Sequence, residues 1–185
     1  MALALFLKQG FHGVGLREIA TRAGVALGNI YNHYEGKEPL FTALISRLYI
    51  AFAGDAASLV PLVDLETFPG DLEALGHAIG ELVVRNRDCL TLVYVDIAEF
   101  DGHHARPHYD DLAGKFRALF GEKLTGAGAG GVDPAVAFTA TYLLFTNYFI
   151  LTHCLGARPF GLGVDKSVAA IAKILSGGLK HRGSK

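Results

Sequence analysis

Residues Leu16 to Leu40, LREIATRAGVALGNIYNHYEGKEPL, constrain the fold more than any other part of the chain. Leu16, Ile19, Ala20 and Ala23 recur at helical spacing, with Arg17, Glu18 and Arg22 on the opposite side. Gly24 supplies the backbone freedom for a tight turn, and Val25 is expected to plug the angle between two helices. In the second helix Ile30 and Tyr34 share one face. Leu27, Gly28, Asn29, Tyr31, Asn32 and His33 are then left pointing outward. This is the grammar of a helix-turn-helix, and the outward set is rich in groups that hydrogen-bond phosphates and base edges.

Around this core the spacing predicts an all-α protein of about nine helices. A first helix over Met1–Gln9 closes at Gly10, and a long helix runs from Lys37 to about Ala57 with Pro39 in its first turn. Further helices are expected near 71–86, 88–99, 106–124, 134–155 and 164–179, with Asp71 as an N-cap and the glycine-rich run Gly126–Gly131 as a loop. The division expected is a DNA-binding head over 1–49 and a helical body over 50–185, for which the family resemblance given below implies effector binding and dimerisation. Charge follows the same division: the first 49 residues carry a formal +2 and the remainder −3, so a basic head sits on an acidic body although the whole chain is only −1.

From Ala135 to Leu155 no residue is charged, long enough for a transmembrane candidate. Scattered threonines, Asn147 and His153, with no basic flank, favour a helix buried between protein layers. Two cysteines without metal-ligand spacing and no secretory leader suggest a reduced, cytoplasmic setting.

Other motifs carry little chemistry. The run Gly126–Gly131 satisfies a dinucleotide fingerprint formally but follows a helical pattern rather than a strand. Asp101, His103, His104, His108, Asp110 and Asp111 crowd one loop and read as surface residues rather than metal ligands. No cysteine or histidine stands in a nucleophile elbow or triad context, so neither catalysis, a cofactor nor a metal is expected.

The opening region resembles the TetR family of bacterial transcriptional regulators. The resemblance is carried by Phe6 and Gly10-Phe11, Ile19-Ala20, Gly24-Val25, the run Gly28–Tyr31, and Tyr34 with Lys37-Glu38. It implies base-edge contacts from Arg17, Asn29 and Asn32. Phosphate contacts are implied for Tyr31, His33, Lys37 and the backbone around Leu27 and Gly28. It departs from the family where a hydroxyl usually caps the second and third helices: Val14, Gly15 and Ala26 stand there instead.

The resemblance further implies a homodimer on operator DNA, with two stripes of the penultimate helix and one of the last serving burial and dimerisation. The expected interface is Leu144, Tyr148, Leu151, Leu155, Val168, Ile171 and Leu175. The expected pocket for a small hydrophobic effector has Tyr94, Phe116, Phe120, Tyr142, Phe145 and Phe149 as walls and Asn86 and Asn147 as polar handles. The function expected is a ligand-responsive regulator, most simply a repressor. The alternative is a helical small-molecule-binding protein or enzyme with weak or no DNA binding.

Overall fold

A computed structural model describes residues 1–57, 59, 71–120 and 132–180. Ten α-helices and one π-helical turn account for the regular structure among these residues: α1 Ala2–Gln9, α2 Leu16–Ala23, α3 Leu27–Tyr31, α4 Lys37–Ala56, α5 Leu72–Arg85, α6 Arg87–Phe100, α7 Arg106–Tyr109, α8 Leu112–Phe120, α9 Pro134–Phe149 continuing into the π-turn Ile150–Cys154, and α10 Val164–Lys180. The glycine-rich run 126–131 lies outside the described residues. No strand occurs among the described residues.

One expected helix, 106–124, is broken. Asp111 adopts a left-handed conformation (φ 52°), and its carboxylate accepts the Gly114 N–H at 3.0 Å, capping α8 afresh. Asp71 does cap α5, accepting the Ala74 N–H at 2.9 Å. Asp133 caps α9 through the Ala135 and Val136 N–H groups, with Pro134 in the first turn.

The chain forms two compact units. The first comprises Met1–Ala53 and Asn86–Asp110, so the unit holding the helix-turn-helix also takes in α6 and α7. Its core is aromatic. Phe6, Phe11, Phe41 and Phe100 pack with ring centroids 4.6–5.9 Å apart, backed by Val14, Ile19, Ile45, Leu92 and Val93.

The second unit, Gly54–Arg85 and Asp111–Lys185, is built on α9. This helix is apolar on every side, and by length and composition it could cross a membrane. Here it serves as the central helix, with Phe138, Thr141, Tyr142, Phe145 and Phe149 all buried. Two glycines one helical turn apart on α5 make room for it. A Cβ on Gly76 would stand 2.6 Å from the Phe145 ring and 2.9 Å from Val168, and one on Gly80 would stand 2.6 Å from the Phe149 ring. Sequence periodicity did not reveal this seat, because Gly76 and Gly80 carry no hydrophobic signal of their own.

Candidate nucleic-acid interface

The turn of the helix-turn-helix is made by Gly24, whose left-handed backbone (φ 69°, ψ 28°) lets its own N–H reach Ala20 O and Thr21 O. Val25 donates its N–H to Ala20 O at 3.0 Å, but its side chain is exposed, so the backbone rather than a hydrophobic plug fixes the angle. After the turn, Ile30 is buried and Tyr34 half-buried against the same core. Locking those two inward turns Asn29, Tyr31, Asn32 and His33 outward, all exposed, Tyr31 by 54%. Arg17 on α2 and Gly28 are exposed as well. Leu27 is different: its side chain is half-buried and packs partly into the core. Neither Gly15 nor Ala26 offers a side-chain cap to the helix that follows it.

Lys37 is placed differently from an open phosphate ligand. Its ammonium donates to Phe11 O at 2.8 Å and Val14 O at 2.7 Å, and it lies 4.2 Å above the Phe11 ring. Two of its three hydrogens are thus spent on the segment between α1 and α2, and Lys37 works first as a strut of the head.

Sequence reasoning missed the partner of that strut. Glu99, on the last turn of α6, accepts the Phe11 N–H at 2.8 Å and the His12 N–H at 2.7 Å. Nearby, the fully buried Asp96 accepts the Ala105 N–H at 2.8 Å and lies 2.6 Å from His104 Nδ1. The other nitrogen of His104 is 3.4 Å from Glu38 at the start of α4. The histidine-rich loop therefore ties α6 to the first turn of α4. His108 is likewise engaged, stacked on Tyr49 at 4.2 Å.

Residues 1–44 match the family model of bacterial regulatory proteins of the tetR family. Over these residues the head is similar to that family's. Over 153 residues the chain is 28% identical to the HTH-type transcriptional repressor NicS of Pseudomonas putida, an alignment covering 82% of this chain and 66% of that protein. A shorter match, 39% identical over 46 residues, is to the HTH-type transcriptional activator FasR of Mycolicibacterium smegmatis and covers 25% of this chain and 21% of that one. The chain thus spans just under two thirds of the first of these curated relatives and about a fifth of the second. The fold extends further: a crystal structure of a candidate transcriptional regulator from Streptomyces coelicolor superposes with a TM-score of 0.66 at 17% identity, covering 98% of this chain and 95% of that one.

Behind the head, the residues expected to form the body's sites are placed unevenly. Of the expected dimer stripe, Tyr148, Val168 and Ile171 are buried inside their own unit. Leu151 and Leu175 are half-buried, and only Leu144 and Leu155 are exposed. The reason is that an all-round apolar helix does not declare which stripe its own domain will take. The apolar face that α9 leaves exposed is Val136, Ala140, Leu143 and Leu144.

The expected effector walls divide in the same way. Phe116, Phe120 and Tyr142 pack around Phe138 and one another at 4.7–6.3 Å, and Phe145 and Phe149 fill the seats above Gly76 and Gly80. These rings pack largely against one another. Asn147 and Tyr94 are exposed, and Asn86 and Tyr94 belong to the first unit. An open cleft of about 380 Å³ does occur in the second unit, lined by His77, Gly80, Glu81, Val84, Arg85, Phe149, His153 and Val164. It shares only Phe149 with the expected set.

Proposed function

We propose that the chain is a ligand-responsive, DNA-binding transcriptional regulator that acts in the cytoplasm as a homodimeric repressor. The observation that carries this reading is the outward face of α3. Ile30 and Tyr34 anchor the helix, and Asn29, Tyr31, Asn32 and His33, joined by Arg17 of α2, form an exposed polar surface of the kind that reads a major groove. The long alignment with a repressor supports the sign of regulation.

A dimer follows from DNA geometry, because two recognition helices must reach major-groove segments roughly 34–36 Å or more apart. The exposed α9 face around Leu143 and Leu144 is the surface proposed for it. The effector is proposed to be small and largely apolar, entering the cleft floored by Phe149 and Val84. Effector binding would act through α4, which begins beside α3 at Lys37 and passes from the first unit into the second at Ala53/Gly54.

Footprinting on the DNA flanking its own gene tests the central claim. Protection at low salt that weakens as salt rises is expected, and Tyr31→Ala and Asn29→Ala should reduce it without lowering the melting temperature. Absence of any protected site, or protection indifferent to both substitutions, overturns the assignment. Leu143→Glu with Leu144→Glu should convert the dimer to a monomer in sedimentation. For the effector, a thermal-shift screen of small aromatic compounds should give hits that Val84→Trp abolishes.

A further inference from the structure

Helix α2 starts without local support. Its N-cap is Gly15, which has no side chain to hold the first N–H groups, and the residue before it is Val14. The segment that feeds into it, residues 10–15, is instead gripped from a distance on both sides of its backbone. Glu99 accepts the N–H groups of Phe11 and His12 at 2.8 and 2.7 Å, while Lys37 donates to the carbonyls of Phe11 and Val14 at 2.8 and 2.7 Å. The Phe11 ring completes the grip, 4.6 Å from Phe100 on the residue next to Glu99. Gly10 is shaped for the carboxylate: its φ is +72°, and a Cβ added there would collide with Glu99 Oε1. Only 21% of the Glu99 side chain is exposed, so water competes weakly for these bonds. Arg17 is the second residue of the helix that this clamp delivers.

We propose that Glu99 is a positioning residue for DNA binding: its carboxylate holds the Phe11–His12 backbone that leads into the uncapped α2 and thereby sets where Arg17 meets the duplex. The inference rests on the reading that the head binds DNA. Glu99 itself touches no DNA in this scheme. It acts through two backbone N–H groups, and its loss lets α2 enter at a shifted angle, so that Arg17 no longer reaches the base edge that α3 frames.

A double-mutant cycle separates positioning from general destabilisation. The probe is the duplex fragment protected by the wild-type chain, and each variant is first shown folded by circular dichroism. Glu99→Gln should weaken binding roughly five- to tenfold in the wild-type background and less than twofold in an Arg17→Ala background, the non-additivity of groups that act as a unit. Amide exchange at Phe11 and His12 should quicken in Glu99→Gln while that at Ile30 stays put. Gly10→Ala, which displaces the same carboxylate from the other side, should reproduce the Arg17-dependent loss if Glu99→Gln does not fold. Equal losses in both backgrounds would overturn the inference and leave Glu99 as ordinary scaffolding. A wild-type chain that binds no DNA would overturn the functional reading itself, and this inference with it.

Discussion

Replacing Lys37 by methionine distinguishes a strut from a phosphate ligand. Methionine keeps much of the aliphatic stem but removes the ammonium, so the carbonyls of Phe11 and Val14 lose donors at 2.8 and 2.7 Å and the Phe11 ring loses its cation. Hydrogen bonds to a charged group are each worth about 1.5–3 kcal/mol, and a cation over a ring about 0.5–1 kcal/mol where it remains partly solvated. Because Lys37 is only half-buried, water can re-enter and satisfy part of what is lost. A net cost of about 3 kcal/mol follows, which for a chain of this length lowers the melting temperature by roughly 6–12 °C. Thermal unfolding followed by circular dichroism at 222 nm, alongside a binding titration on the same preparation, gives the answer. A variant that melts within a degree of the wild type yet binds DNA more weakly would refute the strut and restore Lys37 as a plain phosphate contact.

Gly76→Ala should destabilise the second unit by about 1–2 kcal/mol, since overpacking against the fully buried Phe145 and Val168 outweighs the roughly 1 kcal/mol gained in helix propensity. Gly54→Ala, with open space around its Cβ, should instead stabilise by about 0.5–1 kcal/mol; equal effects at the two sites would remove the argument for a glycine seat. Burial pushes the Cys89 thiol up to about 11, so at pH 8 a thiol-specific reagent should label the half-buried Cys154 first and Cys89 only after denaturation. Labelling of both at one rate contradicts that order. Asp133 is held below its ordinary 3.8 by its hydrogen bond from Arg117, then by the Val136 and Ala135 N–H groups. Its contribution is therefore complete above the unfolded value and lost as pH falls through the lower folded one. Acid-unfolding curves of Asp133→Asn should accordingly be flatter than those of the wild type in that range.

What could be read in the sequence was local. Ile30 and Tyr34 share a face because they lie four apart, Gly24 turns because it falls between two helical periods and carries no side chain, and Asp71 caps because a carboxylate precedes an apolar period. Each of these is decided within one or two turns of helix. What escaped was decided by residues far apart in the chain. Glu99 meets Phe11 across 88 positions, and no pattern around either residue points to the other. The same holds for Tyr148, Val168 and Ile171, whose stripes looked as suited to a partner subunit as to their own core. Which stripe is inward depends on where Gly76 and Gly80 open a seat. His104 was visible as chemistry but not as structure, because its meaning depends on Asp96 beneath it and Glu38 on another helix.

The first unit draws its residues from two stretches of chain, with the piece 54–85 inserted between them. Anyone assembling a chimeric regulator would naturally cut within α4 and graft residues 1–49 onto a foreign body. That cut leaves behind Leu92, Val93, Glu99, Phe100 and Ala105, and with them one wall of the aromatic core and half of the grip on the α1–α2 segment. A transplant that carries Asn86–Asp110 along with Met1–Ala53 should keep its specificity. One made at the apparent boundary should be poorly folded, whatever body it is given. The unit of exchange in this protein is a shape in space and not a length of gene.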